Sequence, residues 1–536
     1  MACFLTFLSL TLEVQASIGI PKNAEHASLK RHVSQLHDSF DFIIVGGGIS
    51  GLTVANRLSA AFPTKSVLVV EYGEIVHTKS LFKPPNNWYE DPPAGPMWVY
   101  KSLPNVECDN KSATIPAGKL LGGCSAVNGQ FLDWGSKHSY DAWAEVAGPG
   151  FGKGSIKWNW KGLFPVTFTP PERTFAEQYG YRWDSSAYGN GPVQAMLPPF
   201  QWADNHVKVE AFQDMGLEVA KECAGGDKHG IRWVPTSQHP VTAARSHSGI
   251  AHYADLLPRA NYHLLLKHQG IKVIYPRGPK HGPPTVQVRS VIDNTFSNLR
   301  AKVEVIISAG GLNTTSLLQR SGIELASFLR KANIPVVLDL PGVGANLQDH
   351  YGPSVFWNYS KPYPDTFHIK QNATFKEKAI AQFNQIPARG PYTLAGGNLA
   401  IYVSLQKLSP SGWKSTFSNI RNSIADSSYI SYLPEEIRSE KTIVAGYRHQ
   451  LLTVANLLSD ERSGFNISAP LDNGALVIDY RAGTNPAGFN LYMAYLRYLR
   501  KILDIPTYKA LAPVELSPGE EVANEDTKLK QLNRPI

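Results

Sequence analysis

The sequence predicts an α/β fold, and three observations carry that prediction. Residues 40–73 place a strand, a glycine turn, a helix and a second strand in immediate succession. Further apolar runs of strand length recur at 261–266, 271–275, 286–292 and 303–308, beside two more glycine segments. At 536 residues the chain exceeds one simple core, so two domains, or one domain with large insertions, are expected.

The first unit is the most explicit. Phe42 to Val45 reads as a buried strand and runs into Gly46-Gly47-Gly48-Ile49-Ser50-Gly51. Leu52, Val54, Ala55 and Leu58 follow at helical spacing. Val67 to Val70 is a second apolar strand ending on Glu71, 20 residues after Gly51. That is the spacing of a dinucleotide fingerprint. Gly46 permits the tight turn, Gly48 lets backbone approach a pyrophosphate, and Gly51 lets helix and strand pack closely. Ile49 and Ser50 open the helix, whose N-terminal N–H groups attract phosphate. Glu71 accepts hydrogen bonds from ribose hydroxyls and repels a 2′-phosphate. An ordinary βαβ unit with a glycine turn is the rival reading. It does not account for all five features occurring in register.

Composition is that of a globular protein, 43% hydrophobic and 18% charged. The formal charge of +8 is scattered, which reads as a solvated surface and not a nucleic-acid arm. No apolar run is long enough to span a bilayer. Ala2 to Leu12 is apolar and Val14-Gln15-Ala16 resembles a cleavage site, so residues 1–16 read as a signal peptide and 17–39 as a linker. The usual basic start is missing, and a disordered start or a misread first exon is the alternative. Secretion is expected, with a cytoplasmic location as its rival. Sequons at Asn110, Asn313, Asn358, Asn372 and Asn466 are candidate glycosylation sites. Beyond Cys3, only Cys108, Cys124 and Cys223 remain, without metal-ligand spacing, and no metal is expected. Cys108 with Cys223 is the one pair worth testing for a disulfide.

Further along, 74–117 is rich in Pro, Asn and Trp and reads as irregular. Lys119 to Gly129 is a glycine turn leading into a small-residue helix start, where Ser125 is a candidate cap. Tyr140-Asp141-Ala142-Trp143 opens a helical stretch. Residues 151–240 and 351–455 show little periodicity. Asn490 to Leu503 has the apolar spacing of an amphipathic helix.

Taken together, these blocks resemble the glucose–methanol–choline (GMC) family of FAD-dependent oxidoreductases, over residues 40 to about 530. Gly122-Gly123-Cys124-Ser125-Ala126-Val127-Asn128-Gly129 followed by Tyr140-Asp141-Ala142-Trp143 carries most of the resemblance. Ile307 to Gly311, Ser321-Gly322-Ile323, Pro341 to His350 and Arg245-Ser246 add to it. The resemblance implies a Rossmann-like FAD-binding domain built from separated segments, 40–150, 241–350 and 456–536. It also implies an α+β substrate-binding domain with an antiparallel sheet, 151–240 and 351–455. Gly46, Gly48, Ile49, Ser50 and Gly51 would line the pyrophosphate, and Glu71 the ribose. Ser125 to Gly129 would pass beside the flavin, with Asn128 donating to it and the Val273 backbone against the adenine. The sequence departs from the family at Cys124, where Ser or Thr is usual, at Glu324, where glycine is usual, and at Trp134-Gly135 in place of Arg-Gly.

The resemblance implies oxidation of a CH–OH group of a small alcohol, in a biosynthetic pathway or otherwise, by hydride transfer to flavin. Oxygen or another acceptor would take the electrons, and the protein would act as a monomer or homodimer. The base in the family lies in a C-terminal His-Pro-x-Gly-Thr segment, and this sequence ends at Ile536 before any such segment. No catalytic residue is therefore assigned. Three explanations stand: a truncated reading frame, a degraded member with weak FAD retention and no oxidase activity, or another base. His239-Pro240-Val241-Thr242 imitates the motif but precedes Arg245 and lacks the glycine. His247, His252 and His350 read as packing or surface histidines. The rival functions are a hydroxynitrile lyase on the same fold and an FAD-binding pseudoenzyme. A nicotinamide enzyme is the weakest.

Overall fold

The computed structural model describes residues 29–75, 95–104, 112, 114–147, 166–222, 224–276, 282–347, 355–360, 369, 371–395, 397–460, 465–468, 486–517 and 519. The leader, Asn110, Cys108, Cys223, His350 and the last residues lie outside that set. Its framework strands are β1 (Leu29–Lys30), β2 (Ser39–Val45), β3 (Val67–Val70), β4 (Gly230–Trp233) and β5 (Tyr262–Leu265). They continue with β6 (His268–Ile274), β7 (Thr285–Ser290), β8 (Phe296–Ile307), β9 (Leu399–Val403) and β10 (Phe465–Ser468). The helices that bear on the argument are α1 (Ile49–Ala61), α2 (Gly311–Arg320), α3 (Trp413–Ala425), α4 (Lys441–Ser459) and α5 (Pro486–Arg500).

The chain divides into two compact units. Unit 1 comprises residues 1–99, 116–130 and 237–347. Its sheet runs β1-β5-β3-β2-β8-β7-β6. The first five strands pair in parallel, and β8, β7 and β6 close the sheet antiparallel. β3 is buried along its whole length, as expected of a strand covered on both faces. One face packs Phe40, Ile43, Leu68 and Leu265 with Leu317 of α2. The other packs Ile44, Val67 and Val69 with Leu52 and Ala55 of α1. β8 begins at Phe296, seven residues before the expected start at Val303. Its first half pairs with β7 across the turn at Asn294, which takes a positive φ of 61°. That half alternates exposed Phe296, Asn298 and Arg300 with the half-buried Ser297 and the buried Leu299 and Ala301, so its polar residues lie on the open face.

Unit 2 comprises residues 100–115, 131–236 and 348–536. A three-stranded antiparallel sheet, β10-β9-β4, lies against α3, α4 and α5. The amphipathic helix expected at 490–503 is α5 followed by a tighter turn, Lys501–Asp504. Its Met493, Leu496 and Leu499 enter the core of unit 2. This division differs from the expected segments: 100–115, 131–150, 348–350 and 456–536 fall in unit 2, and 237–240 fall in unit 1. The packing of α5, and the contact of Thr453 with Glu145, account for 456–536 and 131–150. α4 and α3 lie where periodicity was weak. In α3 the buried positions are Thr416, Ile420 and Ile424, so a threonine breaks the apolar stripe.

Candidate functional site

In unit 1 the glycine turn joins β2 to α1. Gly46 has φ +111°, and a Cβ there would sit 2.4 Å from Ser308 O. A Cβ on Gly51 would sit 1.9 Å from Gly46 O and 2.6 Å from Ser308 Oγ. These two positions therefore require glycine. Ser308 Oγ donates to Val45 O and Gly46 O, at 3.2 and 3.1 Å, so β8 braces the turn from the other side. Ile49 and Ser50 are exposed at the start of α1, where first-turn N–H groups lack helical acceptors. Beside Gly48 the nearest obstacle to a Cβ is Gly123 Cα, 3.8 Å away. The space over the helix start is thus open, as a pyrophosphate needs.

Glu71 is buried at the end of β3. Its Oε2 accepts from Gly47 N–H and its Oε1 from Gly73 N–H, both at 2.7 Å. Burial raises its pKa to about 7, against the pull of those two N–H donors. Each oxygen keeps a further lone pair for a ribose hydroxyl. The carboxylate also ties the turn to the strand, a second role that spacing alone does not reveal.

The structure brings the second glycine segment to the first. Gly122 N–H donates to Gly47 O at 2.8 Å, and a Cβ on Gly123 would meet Gly48 Cα at 2.9 Å. Ser125 lies inside the short turn Gly123–Ala126 and does not cap it. Its hydroxyl donates to Gly122 O and pairs with Ser248 Oγ. Arg245, buried, gathers the rest of the loop: Nη1 donates to Ser125 O, Asn128 O and Asn128 Oδ1. Asn128 is exposed, with Oδ1 accepting also from Gln130 N–H, so its amide nitrogen is turned to donate elsewhere. Gly129 follows, half-buried. Although Trp134 replaces the family's arginine, a guanidinium does stand against this loop, from Arg245.

Other expected residues fall further away. Val273 is buried in β6, and its N–H donates to Ser321 Oγ at 2.8 Å. The residue of that strand that meets the end of β2 is Gly270, where a Cβ would come within 2.4 Å of Val45 Cγ1. Pro341 to Leu347 packs through Gly344 on Thr315 of α2. Glu324, which stands where the family has glycine, is buried and accepts from Gln319 Nε2 at 2.5 Å. Cys124 is a free, exposed thiol.

Three of the histidines singled out in the sequence are engaged locally through Nδ1. His239 Nδ1 accepts from the N–H groups of Val241 and Thr242, stapling a turn. His247 Nδ1 accepts from Gly249 N–H, and burial with Arg245 holds its pKa down at about 3. His252 Nδ1 contacts Asn56 Nδ2, and burial with Arg57 holds its pKa at about 4. Of the described sequons, Asn358 and Asn372 are exposed and Asn313 is half-buried in the first turn of α2. Asn372 caps the helix Ala373–Phe383 through Phe375 N–H. Asn466 is in β10, paired with Tyr402. Among the described residues no cluster could hold a metal ion, and no helix is long and apolar enough to cross a membrane.

A glycine turn at a helix start, an acid at the next strand end and a small-residue loop laid beside them define a flavin-binding oxidoreductase. Residues 40–352 match the GMC oxidoreductase family, and the chain belongs to it. The cofactor of this class is FAD, and the open helix start, Glu71 and the exposed Asn128 fit it. The chain is 27% identical to the dehydrogenase xptC of Emericella nidulans, over 95% of this chain and 84% of that one. A solved fungal aryl-alcohol oxidase superposes with a TM-score of 0.87 at 48% identity, covering 93% of this chain and 88% of that one. An FAD-dependent oxidoreductase from Chaetomium thermophilum superposes with a TM-score of 0.81 at 27% identity, covering 92% and 87%. The protein is a GMC-type FAD oxidoreductase that acts on alcohol-like substrates.

Proposed function

We propose that the protein oxidises an aryl alcohol at its benzylic carbon to the aldehyde, with oxygen or another acceptor taking the electrons. The observation that carries this reading is the near-full-length similarity to an aryl-alcohol oxidase. The start of α1 and Gly46 to Gly51 would hold the pyrophosphate of FAD, and Glu71 the ribose. Ser125 to Gly129 would hold the flavin, with Asn128 Nδ2 as a donor to it, and the strand that carries Val273 would hold the adenine. When bound, FAD supplies the two-electron acceptor for hydride. A base must take the hydroxyl proton as hydride leaves. His239, His247 and His252 are each engaged through Nδ1 and are not assigned that role.

Anaerobic mixing of the flavin-loaded protein with benzyl alcohols tests the proposal. Loss of the oxidised-flavin absorbance, faster than with sugars or aliphatic alcohols, is expected. Cyanide release from an aromatic cyanohydrin without flavin bleaching would overturn it in favour of a lyase. The same reading includes export with glycans on Asn358 and Asn372, the two exposed described sequons. A mobility shift on glycosidase treatment of the secreted protein, lost in N358Q/N372Q, is the expected result.

A further inference from the structure

In unit 2 the strand Phe356–Tyr359 pairs antiparallel with Pro513–Ser517. The two faces of this ribbon differ. On the inner face Trp357 and Tyr359 pack on the core that also holds Val355. The Trp357 ring meets the buried Tyr508 edge-on at 6.0 Å, and the Tyr359 hydroxyl lies 3.0 Å from that of Tyr508. Glu515, opposite Trp357, is buried in an ion pair with Arg500 at 2.6 Å. Side chains alternate along a strand, so Phe356 and Asn358 share the outer face, with Val514 directly opposite Asn358.

The outer face is apolar around the asparagine. Val514 is 46% exposed and Leu516 63%, and Phe356 is half-buried. Leu516 falls at the register irregularity between Phe356 and Trp357 and has no residue opposite it. Apolar side chains grouped on one open face mark a surface that something else covers. In their midst stands a sequon, Asn358-Tyr359-Ser360. Phe356 lies two residues back on the same face, about 6.7 Å along the strand. The Val514 Cβ lies roughly 5 Å across the ribbon. An N-acetylglucosamine joined to Asn358 Nδ2 has a ring face of C–H groups and a rim of hydroxyls. Laid on this surface, it turns the C–H face to the apolar side chains and keeps its rim in water. The other exposed sequon has no such floor. Asn372 caps the helix Ala373–Phe383, whose exposed residues nearby include Thr374, Glu377 and Lys378.

We propose that the glycan on Asn358 is a fixed cover for this face, its first sugar seated on Phe356, Val514 and Leu516, whereas the glycan on Asn372 stands free in solvent. The proposal rests on the export reading above. Loss of the Asn358 glycan therefore opens an apolar surface, and loss of the other does not.

The secreted protein tests this in two steps. Mass spectrometry of its peptides should find Asn358 glycosylated. The dye ANS, which brightens on apolar surface, then compares the variants. N358Q should bind severalfold more dye than the unaltered protein, and N372Q no more than it. Adding V514S/L516S to N358Q should return binding to the starting level. If N358Q is not exported, a peptide amidase that strips the remaining glycan from folded N372Q answers the same question. It leaves aspartate at 358, more polar than the original residue, so a rise in dye binding comes from the uncovered face. Trimming instead to a single N-acetylglucosamine should leave dye binding low, and a rise there overturns the seating of the first sugar. An unoccupied Asn358 beside an occupied Asn372 overturns the proposal and leaves export standing. Neither site occupied overturns both. An occupied Asn358 with equal dye binding in N358Q and N372Q overturns the cover alone.

Discussion

The cradle of unit 1 and the face of the β10-β9-β4 sheet turned from the helices of unit 2 are built by different means. The cradle is made of backbone: Gly48 and the first turn of α1 present open space and N–H groups, and Gly46 and Gly122-Gly123 pack closely around them with their own N–H groups bonded within the protein. Even Glu71 is placed by backbone, through Gly47 and Gly73. The face in unit 2 is made of side chains: Asp133, Lys228, Tyr402 and Phe131. A backbone site tolerates almost no change at its glycines but is indifferent to most neighbours. A side-chain site can be rewritten one residue at a time.

Three substitutions probe that contrast. Gly51→Ala should have the largest effect, since its Cβ would lie 1.9 Å from a carbonyl oxygen that cannot swing away. A loss above about 3 kcal/mol is expected, read as insoluble or flavin-free protein. Soluble, yellow G51A would break the comparison.

The Glu71 carboxyl comes next. Its folded pKa, about 7, lies above the unfolded value near 4.5. The stability it contributes is complete below about 4.5 and is lost as pH rises through about 7, by on the order of 3 kcal/mol. Melting of the flavin-free protein should therefore fall between pH 5 and pH 8, and E71Q should flatten that slope. An unchanged slope in the variant would mean that other groups set it.

The smallest effect is expected in unit 2. The buried Tyr181 hydroxyl donates to Pro198 O and accepts from Gln201 Nε2, both at 2.7 Å. Tyr181→Phe should cost about 1–3 kcal/mol in thermal melting, with flavin content unmoved. A loss of flavin in Y181F would show that the two units do not divide their labour as described.

The same contrast explains what the sequence made legible. Gly46, Gly51 and Glu71 could be read because steric exclusion and spacing leave few alternatives at those positions. The strands around them alternate or run apolar, and β2, β3 and β5 lie where their residues predict them. Arg245 as the organiser of the 125–128 loop was not legible, because its partners are carbonyls more than a hundred residues away. Along the strand of Val273, Gly270 is the residue that reaches Val45, a matter of register past the irregularity between Gly270 and Lys272. Nothing in the sequence links Asp133 to Lys228, 95 residues further along. Only the pairing of β4 with β9 places Tyr402 beside them.

The brace that Ser308 gives the glycine turn also sets the order of events during synthesis. Val45 leaves the ribosome 263 residues before the serine that bonds to it, and all of residues 131–236 are made in between. At ordinary elongation rates that is a delay of roughly 10–50 s. Through this interval β2 presents an unpaired apolar edge on the side later taken by β8. The nascent chain is thus most prone to misassociation before its parallel sheet can close. Slower growth or a holding chaperone should raise yield without altering the melting temperature of the finished protein.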